Sequence, residues 1–241
     1  MGGGVFSETT TLNFDRTVFY NTLELVKQDI NSVSGVNYLL PFRLETKQTF
    51  NDIDIILHYL DIIKISAKLE KQFVHKKIFL GEKRFQENKE LKGMFSFHYI
   101  KNNIQIDLLP SIDLDFTRAY YSYNFSNVFF KKMVTISNSN CKLTSFGLFV
   151  SNEKMFKEIN PKVFFKLNGG FLIPDLNLLF EMLDLNLEKF KLGFSDASVF
   201  LKYLRTSKLY PFVLFNNNSG FKHDISRLES FREISEQLKM Q

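Results

Sequence analysis

Three aspartates set among apolar residues are the part of this chain best equipped for chemistry. Asp52 and Asp54 lie in Phe50-Asn51-Asp52-Ile53-Asp54-Ile55-Ile56-Leu57, and Asp107 lies in Asn103-Ile104-Gln105-Ile106-Asp107-Leu108-Leu109. Both stretches read as short apolar strands, and side chains two apart on a strand share a face. Asp52 and Asp54 then project together while Ile53 and Ile55 turn into the core. Apolar strands seldom carry carboxylates, because an unpaired buried charge either costs several kcal/mol or becomes protonated. Three carboxylates converging at one sheet edge would suit Mg²⁺ or Mn²⁺, with Asp52, Asp54 and Asp107 as metal ligands. Nucleotidyl transfer needs little else: cations neutralise a triphosphate, hold a hydroxyl in line and stabilise the leaving pyrophosphate. In that arrangement Asp52 and Asp54 hold the metals, and Asp107 sits beside the attacking hydroxyl and helps to deprotonate it. A second acidic pair, Asp113-Leu114-Asp115, follows Pro110-Ser111 and reads instead as a turn that caps the next helix.

These residues need a scaffold. The 241 residues can bury one good core, or one domain with a helical appendage, and 44% hydrophobic against 24% charged residues is a globular balance. The 28 Phe and absent Trp make phenylalanine a principal core filler. No run reaches the ~18 apolar residues of a membrane span, and the first residues lack the basic and apolar regions of a signal peptide. The lone Cys141 allows no internal disulfide and no cysteine metal cluster, so an intracellular, cytoplasmic setting is expected, or a host cytoplasm or virion for a viral protein. A net charge of +5 suits a polyanionic partner without requiring one. Walker-type phosphate loops, dinucleotide glycine fingerprints and serine or cysteine hydrolase motifs are absent. His58, His75, His98 and His223 show no metal spacing and read as structural or surface residues.

The periodicity predicts an α+β fold: a small mixed β-sheet core flanked by helices, with a mainly helical C-terminal region. Helix is expected over 15–32, with Val18, Leu23, Val26 and Ile30 inward, then a strand over 36–42 closed by Pro41. A basic connection over 43–49 leads into the Asp52/Asp54 strand. Residues 60–79 read as a second helix, and 94–100 with 104–109 as a hairpin across an Asn-rich turn. A mostly helical stretch follows over 116–136, then a strand over 144–150 and a hairpin over 163–174. Helices are expected from Asp175 onward, one of them over 196–207 capped by Ser195, and a charged one over 221–240. The division is 1–150 for the core and 151–241 for a hairpin plus helical region.

Several segments, taken in order, resemble the nucleotidyltransferases related to DNA polymerase β. They are more narrowly similar to a group of viral, phage and bacterial nucleotidyltransferase-like proteins. The resemblance is carried by Met1-Gly2-Gly3, Pro41-Phe42-Arg43, and Lys47-Gln48-Thr49-Phe50-Asn51-Asp52-Ile53-Asp54. It continues in Ile104-Gln105-Ile106-Asp107-Leu108, in Ala119 to Asn127, and in Lys191-Leu192-Gly193-Phe194-Ser195-Asp196 with Phe200 and Tyr203. It implies a metal-dependent nucleotidyltransferase that moves a nucleoside monophosphate from an NTP to a hydroxyl of RNA, protein or a small acceptor. One departure stands out. Such proteins carry Gly-Ser or Gly-Gly ahead of the Asp-x-Asp, and this chain has no glycine between Gly35 and Asp52. Arg43 and Lys47 are the candidate phosphate-binding substitutes, together with the bare backbone of Gly2 and Gly3. Asn124 and Asn127, beside Tyr120, Tyr121 and Tyr123, are candidates for bonding the nucleotide's sugar. The missing motif also favours an alternative: a catalytically inactive relative that serves nucleic-acid binding or complex assembly.

Overall fold

The computed structural model describes residues 5–6, 13–33, 35–79, 88–123 and 126–215. The architecture is mixed α+β, as expected. Along the chain run β1 (Phe14–Asp15), α1 (Arg16–Asn31), β2 (Tyr38–Leu39), β3 (Thr49–Phe50), β4 (Ile53–His58), α2 (Tyr59–Leu69), β5 (His75–Phe79), β6 (Phe95–Lys101) and β7 (Ile104–Ser111). Then come α3 (Leu114–Tyr121), α4 (Ser126–Ser137), β8 (Cys141–Thr144), β9 (Gly147–Val150), α5 (Glu153–Ile159), β10 (Phe165–Leu167) and β11 (Gly170–Ile173). Four short helices follow: α6 (Leu176–Met182), α7 (Leu187–Leu192), α8 (Ala197–Leu204) and α9 (Tyr210–Phe215). The expected helix over 221–240 lies outside the described residues.

A five-stranded sheet in the order β2-β4-β7-β6-β5 carries the aspartates. β4 and β7 run parallel at its centre and the other pairings are antiparallel. Alternation divides the sheet cleanly. Ile53, Ile55, Leu57, Phe97, Tyr99, Ile106 and Leu108 pack on one face with Leu23, Val26 and Ile30 of α1 and Ile62, Ile65 and Leu69 of α2. Asp54, His98, Gln105 and Asp107 therefore belong to the other face. The α1 stripe is Phe19, Thr22, Leu23, Val26 and Ile30, whereas Val18, expected inside, is 40% exposed. Its place is fixed by the cap: the Asp15 carboxylate accepts from the Val18 backbone N–H at 2.8 Å.

Four further expectations are corrected. Residues 60–79 are not one helix: α2 ends at Leu69 and the remainder turns into β5, an edge strand whose lysines 76 and 77 face solvent. The lysines suit an exposed edge, where they discourage further pairing. The strand over 36–42 shrinks to Tyr38–Leu39, because Pro41 has no N–H to extend the ladder. The single strand over 144–150 is a hairpin, β8 turning into β9 at Ser145-Phe146. Asp196, not Ser195, caps α8, its carboxylate accepting from the Ser198 and Val199 N–H groups. The hairpins β6–β7 and β10–β11 and the capping role of Asp113 stand as expected.

The second sheet, in the order β10-β11-β9-β8, joins strands from both sides of residue 150. Its inner face shares an apolar cluster with α3, α4 and the C-terminal helices, centred on Phe130, Phe180, Phe190 and Phe200. A third, smaller cluster joins Leu91 and Met94, ahead of β6, to Phe146, Phe149, Leu167 and Leu172 of this sheet and its turn. Gly170 marks the tightest approach in this sheet, since a Cβ there would lie 2.3 Å from the Val150 carbonyl oxygen. Gly170→Ala should therefore force β11 away from β9 and destabilise the protein by about 1–3 kcal/mol, the usual range for overpacking. A urea midpoint lowered at unchanged m-value would register it.

Candidate metal centre

The aspartates meet because β4 and β7 are parallel neighbours in a register that sets Asp54 directly opposite Asp107. Asp52 stands immediately before β4, on the same side as Asp54 by alternation. One carboxylate oxygen from each of Asp52, Asp54 and Asp107 lies within 4.8 Å of the others. Asp52 and Asp107 are buried and Asp54 is partly buried. Among the described residues, this cluster of three carboxylates could hold a metal ion. All the donors are hard oxygens, the set preferred by magnesium and manganese rather than by softer metals.

The electrostatics are those of crowded, buried carboxylates. Burial raises the Asp54 carboxyl above the ordinary range; Arg43 opposes this and the charge of Asp107 adds to it. Burial likewise raises Asp107, against the hydrogen bonds from His98 and Gln105 and with the help of Asp52. Buried like charges a few ångströms apart repel, and a bound cation relieves that repulsion.

Arg43 and Lys47, expected at the phosphates, both reach this neighbourhood. The Arg43 guanidinium donates to Asp54 Oδ2 at 3.3 Å and lies over the rings of Phe19 and Phe50, at 5.4 and 5.5 Å. Its Nε is buried and has no acceptor among the described residues. A buried donor without a partner is costly, and an anionic ligand would supply one. The Lys47 ammonium sits 5.0 Å from the Phe50 ring centre. Burial and the Arg43 charge hold it down at about 8, with Asp52 and Asp54 pulling the other way. The loop carrying both is pinned from two sides. Arg16 donates to the carbonyls of Glu45 and Lys47, while the Glu45 and Thr46 N–H groups donate to the Phe194 and Ser195 carbonyls.

Other expected residues are not brought to the site by anything described. Gly2, Gly3 and Asn124 lie outside the described residues, and Asn127 belongs to α4 with its side chain outside the description. Tyr123 is a core residue, buried and donating to the Phe190 carbonyl at 3.1 Å. Tyr121 differs. Burial raises its phenol, and the charges of Asp54 and Asp107 push in the same direction, so its hydroxyl lies in the field of the site.

The sequence reading missed the partners of Asp107. His98 Nδ1 donates to Asp107 Oδ1 at 2.8 Å, and Ser96 Oγ bonds His98 Nε2 at 2.7 Å. Gln105 Nε2 donates to both oxygens of Asp107, at 2.8 and 3.0 Å, and its own Oε1 accepts from the Val5 and Phe6 N–H groups. A signal was present. Asn102 and Asn103 both take positive φ, 52° and 61°, which fixes a two-residue hairpin turn. Counting back from that turn sets His98 opposite Asp107.

No protein-family model and no curated protein matches the chain. Among the described residues, no helix is long and apolar enough to cross a membrane.

A cation that binds only the folded protein stabilises it by roughly 2.7 kcal/mol at a hundred times its Kd. Mn²⁺ should therefore raise the melting temperature, and Asp54→Asn should diminish that rise. Equal rises in both proteins would place the ion elsewhere.

Proposed function

We propose that this protein is a metal-dependent nucleotidyltransferase, joining a nucleoside monophosphate from an NTP to a hydroxyl of RNA, protein or a small acceptor. The observation that carries the reading is the register of β4 with β7, which sets Asp54 beside Asp107 with Asp52 in reach. Asp52, Asp54 and Asp107 would hold Mg²⁺ or Mn²⁺, whose chemistry is to neutralise the triphosphate and the departing pyrophosphate.

The chain's own residues account for the rest. Asp107, holding a cation through Oδ2, would stand beside the attacking hydroxyl and favour loss of its proton, which passes to solvent. The hydroxyl oxygen bonds to the α-phosphorus as the bond to pyrophosphate breaks. Arg43, now on Asp54, carries spare donors for a phosphate oxygen, including the buried Nε. Lys47 adds a second cation from the same pinned loop. Pinning matters because groups held in place lose little freedom when the substrate arrives. Phe19 and Phe50 beneath the guanidinium orient Arg43 and limit its access to water.

The absence of glycine between Gly35 and Asp52 favours a second reading, in which the same fold binds nucleic acid or assembles a complex without catalysis. Incubation with labelled NTPs, Mg²⁺ or Mn²⁺ and mixed RNA separates the two. Transfer of label by the parent should fall at least about a hundredfold in the Asp52→Asn/Asp54→Asn double variant. Arg43→Ala should raise KM for the NTP about tenfold, equivalent to about 1.4 kcal/mol. Equal label with the parent and the double variant, or none with any nucleotide, leaves the binding reading in its place.

A further inference from the structure

We infer that His98, itself held by Ser96, is a positioning residue that makes Asp107 a one-oxygen ligand with a fixed orientation. This rests on the reading of Asp52, Asp54 and Asp107 as cation ligands. Each oxygen of an ionised carboxylate has about two acceptor sites. Asp107 Oδ1 uses both, accepting from His98 Nδ1 and from Gln105 Nε2, each at 2.8 Å. Oδ2 accepts only from Gln105 among the described residues, at a longer 3.0 Å. The remaining capacity for a cation is therefore on Oδ2.

Hydrogen-bond direction makes the assembly self-consistent. An ionised carboxylate only accepts, so Nδ1 of His98 carries the hydrogen that bonds it. With its hydrogen on Nδ1, the ring accepts at Nε2 from the Ser96 hydroxyl at 2.7 Å, a shorter contact than the 3.4 Å from that hydroxyl to the Ile78 carbonyl. Ser96, His98 and Asp107 share one sheet face, in a register fixed by the Asn102-Asn103 turn. The His98 and Asp107 side chains are only 6% and 4% exposed, so water cannot replace the bond cheaply. Without His98, Oδ1 would be free to compete for the cation, and the carboxylate could rotate about χ2. Outer partners that orient ligands in this way change metal affinity by about ten- to a hundredfold when removed.

The direct test is titration of the intact chain with Mn²⁺ alone, by calorimetry, on the parent, His98→Leu, His98→Asn and Ser96→Ala. Each is checked first for native circular dichroism and cooperative unfolding. His98→Leu should weaken Mn²⁺ binding about ten- to a hundredfold. His98→Asn, whose amide N–H can stand where Nδ1–H stands, should recover binding to within about threefold of the parent, as expected if the donor alone matters. Ser96→Ala should fall between them, and it carries the test if His98→Leu fails to fold. Parent-like binding by His98→Leu with lowered thermal stability would overturn the inference and leave His98 a purely structural residue. Binding by His98→Asn as weak as that of His98→Leu would overturn it too, since the retained N–H would then count for nothing. A parent that takes up no Mn²⁺ would remove the cation reading itself, which separates that failure from a failure of the role given to His98.

Discussion

The pairing of β4 with β7 is the constraint on which everything else depends. Side-chain direction alternates along a strand, so slipping one strand by a single residue would exchange its two faces. Such a slip would carry Ile53 and Ile55 to the acidic face and drive Asp54 among Leu23, Val26 and Ile62. Each fully buried aliphatic side chain contributes about 1.5–3 kcal/mol, and an unpaired charge in that core costs more still. The apolar face thus enforces the register, and the register assembles the site. The core and the carboxylates are the two sides of one sheet, secured together.

The carboxylates are costly to keep, and the surrounding structure shows how that cost is shared. Asp107 is nearly enclosed, and its carboxylate accepts from His98 and Gln105. Asp54 is met by a cation, Arg43, drawn from the loop that follows β2. Gln105 adds a longer link, since its carbonyl oxygen fastens residues 5 and 6 across the same face. Burial chiefly, with mutual repulsion adding to it, keeps the carboxyl groups of Asp54 and Asp107 above the ordinary range despite these contacts. The arrangement gives up stability to keep three oxygens close.

The second sheet and the C-terminal helices do more than enlarge the core. They hold the basic loop from the far side, through the Phe194 and Ser195 carbonyls, while Arg16 of α1 holds it from the near side. Phe42, at the start of that loop, is bonded to Ser122 and stacks with Tyr123 and Arg118. Residues more than a hundred positions apart thereby fix one short cationic segment beside the acids.

Local chemistry made much of this legible in the sequence. Period-two alternation located the strands of the three aspartates, and Asn102-Asn103 defined the hairpin. Asp113 is a cap of the expected kind. Errors arose where local patterns were ambiguous or short. Residues 75–79 show no period of two and follow a helix without a proline or glycine break, and the β8–β9 turn at Ser145-Phe146 carries no turn residue stronger than serine. What the sequence by itself determined was which residues could carry charge chemistry and which faces had to be buried, because side-chain type and period are properties of the chain. Only the tertiary structure decided that β4 lies parallel to β7, that Arg43 reaches Asp54 and that Val5 and Phe6 reach Gln105. Those contacts join segments brought together by burial of a shared apolar surface, and burial depends on how the whole chain closes, not on any one stretch of it.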